Sequence, residues 1–310
     1  IMNKQDFYKI AGSAYVEKEF SDKKLDKKNH IFEYTKKEHL ETAETSSVKG
    51  RWSIYEGGLL FSESPDIADT LPKGVYYAEQ DMSGRVYLSK VSIKCDNLLV
   101  MPDDPSEEIL GHVKEFWSLK EQYNRFGFLH KRGILLYGPQ GSGKTGCILL
   151  TIKTLIESDG LVLLGDFPSL DSKALQMIRR LEPERHIVVI YEDVDETVSR
   201  YGDRRLTALL DGENNVDNVL YIATTNYPEQ LPPRLINRPS RFDVRKFVDL
   251  PSEAARLMFL KSKTDMPLSE LQIWARKSEG LTYAHLKELI ILVKILNKGL
   301  DDSIKVLKDM

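Results

Sequence analysis

The stretch Gly133–Thr145, GILLYGPQGSGKT, decides how the rest of the chain is read. An apolar strand phrase runs into Gly138-x-x-x-x-Gly143-Lys144-Thr145, and the apolar helical phrase CILLTIKTLI follows at 147–156. Glycines let the backbone curl so that several N–H groups point inward at a helix N-terminus, which is a cradle for phosphate. Lys144 then reaches the outer phosphates, and the Thr145 hydroxyl is placed to ligate Mg²⁺. The expected nucleotide-binding set is Gly138, Pro139, Gln140, Gly141, Ser142, Gly143, Lys144, Thr145 and Gly146. A chance match in a chain of this length has odds on the order of 1%, before the strand and helix context is counted.

Outward from the loop, strand and helix phrases alternate. GILLYG, LVLLG, IVVIY, VLYIATT and RKFVDL are short apolar runs separated by helical spacing. That pattern predicts an α/β fold with a parallel five-stranded sheet covered on both faces over residues 106–250. Beyond Pro251 only helical phrases remain, so 251–310 is expected to be a small helical lid, with Gly280 and Gly299 as helix stops. Residues 48–102 have a different texture. Runs rich in Val, Ile, Tyr and Trp, divided by Gly-Gly and Ser-Gly, predict hairpins and a β-rich domain. Ser106 is the expected cap of the helix after the MPDDP linker. Residues 1–47 form a charged segment whose phrase DFYKIAGSAYVEKEF reads as helix, closed by the break TAETSS.

Composition narrows the class. Apolar content of 41% and charged content of 29% in 310 residues describe a globular chain of about two domains. The net charge of −3 offers no global attraction for nucleic acid, and residues 1–100 carry 15 Lys and Arg against 16 Asp and Glu. No run approaches a membrane span, and two cysteines, Cys95 and Cys147, point to a reducing, cytoplasmic setting. The six histidines share no metal-ligand spacing.

The loop needs partners for chemistry, and they follow in order. IVVIYEDVD, 187–195, ends a buried strand in Glu192 and Asp193; in such sites one carboxylate orients Mg²⁺ and the next polarises water. VLYIATTN ends another at Asn226, a polar group able to hold that water near the γ-phosphate. RLINRPSRFD sets Arg238 and Arg241 three apart, and an arginine presented to a neighbouring subunit's γ-phosphate would stabilise transition-state charge. Taken singly, Asn226 before Tyr-Pro is a turn residue and the arginines are surface ion-pair donors. Behind a phosphate loop, in this sequence order, they form a series.

From about Gly111 onward the chain resembles the AAA branch of the AAA+ ATPases, on GILLYGPQGSGKT, VVIYEDVD, LLDGENNVDNVLYIATTN, LPPRLINRPSRFD and GLTYAHL. The resemblance implies ATP and Mg²⁺ as cofactors, a ring of subunits (a hexamer) and the Asn226 strand between the loop strand and the Glu192 strand. It implies Glu192 and Thr145 at the metal, Asp193 on water, Asn226 at the γ-phosphate, and Arg238 and Arg241 acting in trans. It puts the start of the adenine pocket at Gly111 and leaves Ala284 where many relatives place a lid arginine. The Glu-Asp order and the KRGILLYGP approach are similar to the mitochondrial AAA chaperones that move a folded iron–sulfur protein. Those carry a transmembrane helix with no counterpart here, so that errand does not transfer. Within GDFPSLDSKALQMIRRL, the short segment after the second strand, Phe167 is the only aromatic and reads as a packing residue. The expected function is ATP-driven remodelling of a protein partner recognised through residues 1–101. A nucleic-acid loader and a nucleotide-gated scaffold are the alternatives.

Overall fold

The protein is described by a computed structural model covering residues 52–55, 58–60, 67–68, 70–93, 99–212 and 216–309. The helical phrase near the start, TAETSS, Cys95, His30 and His39 lie outside the described residues.

Strands β1 (Trp52–Tyr55), β2 (Gly58–Leu60), β3 (Ile67–Ala68), β4 (Gly74–Gln80) and β5 (Val86–Val91) come first in the chain. They are followed by β6 (Lys131–Tyr137), β7 (Leu161–Leu164), β8 (Ile187–Tyr191), β9 (Val219–Thr225) and β10 (Val244–Phe247). All ten join one sheet in the order β10-β6-β9-β8-β7-β4-β5-β2-β1-β3. The first five in that order are parallel neighbours, which is the expected five-stranded core, and β9 lies between β6 and β8.

The β-rich region continues this same sheet instead of closing on itself. β4 runs parallel to β7, and from β5 outward the pairings turn antiparallel. The join is pinned by side chains: Glu182 accepts from the Leu71 N–H at 2.6 Å, and Arg185 donates to the Leu71 carbonyl at 3.1 Å. The Ser-Gly hairpin is present between β4 and β5. Its geometry comes from Asp81, whose carboxylate accepts from the backbone of Ser83 and Arg85 at 2.9 Å each.

Period-two alternation sorts the strand residues onto two cores. Leu135, Leu161 and Leu163 face α4 (Pro168–Leu181) and α6 (Asp203–Asp211). Ile134, Leu136, Val162 and Leu164 face α1 (Ser106–Ser118) and α3 (Lys144–Glu157). Between α1 and α3 lies α2 (Lys120–Arg125), and α5 (Val194–Tyr201) precedes α6. After β9 comes the short α7 (Pro233–Ile236).

Ser106 is the first helical residue of α1 and not its cap; the Asp104 carboxylate accepts from the Ser106 N–H at 2.7 Å. Being two residues earlier, it reaches an N–H that Ser106 cannot reach itself.

Residues after Pro251 fold around a third core that includes Leu260, Leu271, Trp274, Leu286 and Leu307. The lid helices are α8 (Glu253–Lys263), α9 (Leu268–Lys277), α10 (Tyr283–Ile290) and α11 (Leu300–Lys308). A π-turn at Ile291–Ile295 interrupts the phrase that the sequence reads as one helix. Gly280 follows α9 as a stop, whereas Gly299 opens α11; Asn297, in the left-handed region at φ 53°, carries the preceding reversal.

Candidate active site

The parallel order β6-β9-β8 brings three strand ends to one edge, and each delivers a group singled out by the sequence. β6 gives the phosphate loop, β8 gives Glu192 and Asp193, and β9 gives Asn226. The loop's path depends on two glycines. A Cβ on Gly138 would stand 2.2 Å from the Val248 carbonyl oxygen, so only glycine permits that approach. Gly143 has φ 110° and turns the chain into α3, whose first helical bond runs from the Cys147 N–H to the Gly143 carbonyl at 3.0 Å. Cys147 itself is buried in the second core as a small apolar packer.

Lys144 is buried, and its Nζ donates to the Gly138 and Pro139 carbonyls at 2.8 Å each. Burial lowers its pKa to about 8, against the opposing charges of Asp193 and Glu192. The ammonium therefore points into the loop's own curl, where phosphate oxygens are stronger acceptors than amide carbonyls.

Glu192 hydrogen-bonds with the Thr145 side chain, and its Oε1 is enclosed with no hydrogen-bond partner. Burial, then the Asp193 charge, raises its pKa to about 8. An enclosed carboxylate oxygen without a donor is costly unless a cation or proton meets it. Together with Thr145, this hard-oxygen pair suits Mg²⁺, which takes one or two carboxylates and completes its shell with water and phosphate oxygens. No group of three or more His, Cys, Asp or Glu able to hold a metal occurs among the described residues.

Asp193 sits at the start of α5 in the left-handed region, φ 46°. Its N–H donates to Thr224 Oγ1 at 3.1 Å, and its Oδ1 accepts from Asn226 Nδ2 at 3.1 Å. Thr225 ties the same two strand ends by donating to Asp195 at 2.6 Å. Burial, then the charges of Asp195 and Glu196, raises the Asp193 pKa to about 6. The threonines that hold this geometry went unremarked in the sequence, although ATTN spells them out.

The two arginines are separated by their surroundings. Arg241 has a side chain only 4% exposed and grips Asp211 through Nε and Nη2 at 2.8 and 2.7 Å, while Nη1 donates to the Arg234 carbonyl. Arg238 is 63% exposed and meets Asp211 at only 3.5 Å. Of the pair expected to act in trans, Arg238 faces outward, and Arg241 is bound within its own chain because α6 puts Asp211 directly beside it.

Beside the loop lies a pocket lined by Asp103, Asp104, Ser142, Gly143, Val248 and Tyr283, among others. Gly111 is not among its lining residues; it is an exposed position within α1. Phe167 precedes α4, half-buried against Tyr201 with ring centroids 4.9 Å apart and the Arg205 guanidinium 5.0 Å from its ring.

Comparison with known proteins agrees with this edge. Residues 134–250 match the family described as "ATPase family associated with various cellular activities (AAA)". The chain is 29% identical over 221 residues to the ATP-dependent zinc metalloprotease FtsH 2 of Thermoanaerobacter sp., covering 62% of this chain and 43% of that protein. It is 31% identical over 177 residues to the probable mitochondrial chaperone bcs1 of Schizosaccharomyces pombe, covering 53% and 38%. It is 32% identical over 209 residues to the proteasome-activating nucleotidase of Methanothermobacter thermautotrophicus, covering 59% and 51%. The chain thus spans about half or less of the length of these relatives. The loop, acid pair, Asn226 and sheet order fall within or at the edge of the segment 134–250, which is similar to the AAA family of ATPases, and the flanking strands and C-terminal helices are built onto that segment.

Proposed function

We propose that this protein is a Mg²⁺-dependent ATPase whose turnover remodels or moves a protein partner, working as a ring of its own copies. The observation that carries the reading is the shared strand edge: Lys144 in the loop curl, Thr145 on Glu192, and Asn226 on Asp193. The loop N–H groups and Lys144 bind the phosphates. Thr145 and Glu192 would hold Mg²⁺, which when bound neutralises charge on the transferred phosphoryl group. Asp193 accepts a proton from, and orients, the attacking water, with Asn226 fixing the carboxylate's direction. Asp is one methylene shorter than the Glu more common at this place, so the water sits closer to the strand end.

Arg238 supplies positive charge to a neighbouring subunit's γ-phosphate, and its exposure supports that role. A hexamer is the expected ring. The relatives named as a chaperone, a protease and a proteasome activator support a protein partner over a nucleic acid. Residues 1–101 are the proposed recognition segment, and the β4–β7 pairing gives that segment a rigid route to the ATPase core. No helix among the described residues is long and apolar enough to cross a membrane; the low cysteine usage, Cys95 and Cys147 alone, supports the reducing, cytoplasmic setting proposed for the protein.

The test is ATP hydrolysis against protein concentration, beside Arg238→Ala. Specific activity that rises with concentration, and is lost in the variant while ATP binding persists, supports a shared site. A monomer that hydrolyses ATP at full rate refutes the ring.

A further inference from the structure

The loop 237–243 between α7 and β10 carries Arg238, and its middle is held from outside. Lys131, the first residue of β6, reaches it with a half-buried side chain. Its Nζ donates to the Ser240 carbonyl at 2.8 Å and to the Leu210 carbonyl, in the last turn of α6, at 2.5 Å. β6 runs so close beneath the loop that a Cβ on Gly133 would stand 1.7 Å from the Arg241 carbonyl oxygen. Ser240 is in the left-handed region at φ 69°, a conformation unfavourable for serine, and its own N–H donates to the Asp243 carboxylate at 2.9 Å. Both backbone groups of that strained residue are therefore bonded, one by Asp243 and one by Lys131. Only Pro239, whose ring fixes φ, separates Ser240 from Arg238. Arg238 does little to place itself, being 63% exposed and meeting Asp211 only at 3.5 Å.

A lysine that merely capped α6 would need the Leu210 bond alone. The second bond, across to Ser240, ties the arginine's loop to a helix end and to a core strand at one point. We propose that Lys131 is a positioning residue for Arg238, a clamp on its loop that sets where the arginine meets a neighbouring copy of the chain. This rests on the reading above of Arg238 as charge supplied in trans. Lys131 serves the neighbour's site and not its own. The extended run of β6, Lys131–Tyr137, puts roughly 20 Å between it and the phosphate loop of the same chain.

The test is complementation between two variants of the full chain, each expected to be inactive alone. Arg238→Ala keeps its phosphate loop but offers no arginine, whereas Lys144→Ala offers the arginine but lacks the loop lysine. Mixed, they should regain ATP hydrolysis wherever an intact loop meets an intact Arg238. Lys131→Met, which keeps the stem and loses the donors, is then added to one member at a time. In the Lys144→Ala member it should cut the regained activity about ten- to a hundredfold, the scale of a small misplacement at the reacting group. In the Arg238→Ala member it should leave that activity within about twofold. Lys131→Arg in the Lys144→Ala member, with donors retained, should keep most of the activity. No loss with Lys131→Met in the Lys144→Ala member, or equal loss in both members, overturns the proposal. So does a Lys131→Arg chain that melts like its parent yet fails to supply the arginine. If the parent mixture regains no activity, Arg238 does not act in trans, and this proposal falls with that reading.

Discussion

Truncating Arg241 to alanine should cost stability, whereas truncating Arg238 should cost only activity. Arg241→Ala removes two charge-assisted bonds to Asp211, of 2.8 and 2.7 Å, and the donor to the Arg234 carbonyl. Breaking a buried pair from one side typically costs about 3–5 kcal/mol, because the partner charge is left behind. The Asp211 side chain is 25% exposed, so water recovers part of that charge and about 2–3 kcal/mol is the expected loss. At roughly 2–4 °C per kcal/mol for a domain of this size, the melting temperature should fall by about 4–12 °C. Arg238→Ala removes an exposed side chain with one 3.5 Å contact, so its stability should stay within about 0.5 kcal/mol of wild type. The assay is thermal unfolding of both variants beside their ATPase rates. If Arg241→Ala melts with the wild type, the internal role assigned to it is wrong. If Arg238→Ala hydrolyses ATP normally, the charge it was to supply comes from elsewhere.

Asp193→Asn should lower turnover by about 10²–10⁴-fold while ATP binding persists; equal rates in a single-turnover assay would remove Asp193 from proton transfer. Gly138→Ala places a Cβ 2.2 Å from the Val248 carbonyl oxygen, so it should destabilise the fold by upwards of about 1–3 kcal/mol and weaken ATP, read by melting and titration. Asp211 has its pKa lowered, first by the Arg241 hydrogen bond. A depressed folded-state pKa contributes stability above the ordinary aspartate value that is lost as pH falls through the folded value. The melting temperature should therefore drop on acidification below the ordinary aspartate range, and Arg241→Ala should flatten that slope; an unchanged slope would deny the pair its part.

The loop and the acid pair were legible in the sequence for a physical reason. Phosphate binding demands backbone conformations that few residue types allow, so Gly138 and Gly143 leave a mark that context does not blur. Buried parallel strands must be apolar on both faces, which made the five core runs readable. Asp211 and Arg241 stand 30 residues apart in the chain and meet only through packing. No local pattern distinguishes Arg241 from Arg238, and burial alone sets them apart. The same holds for Asp104, which reads as linker and serves as the acceptor for α1, and for Asn297, which carries the turn expected of Gly299.

What the sequence by itself determined is the set of groups and their strand ends: a phosphate loop, two acids and an asparagine, each closing an apolar run. Covalent geometry and solvent exclusion dictate those locally, within about ten residues. The tertiary structure decided which ends are neighbours, since the order β6-β9-β8 is a property of the sheet and not of chain order. It also decided that the β-rich region extends that sheet through β4 and β7, because a buried core strand with a free edge must find a partner for its backbone groups. And it brought Tyr283 of the lid against Gly143 of the loop, a contact 140 positions apart that only the packing of α10 creates.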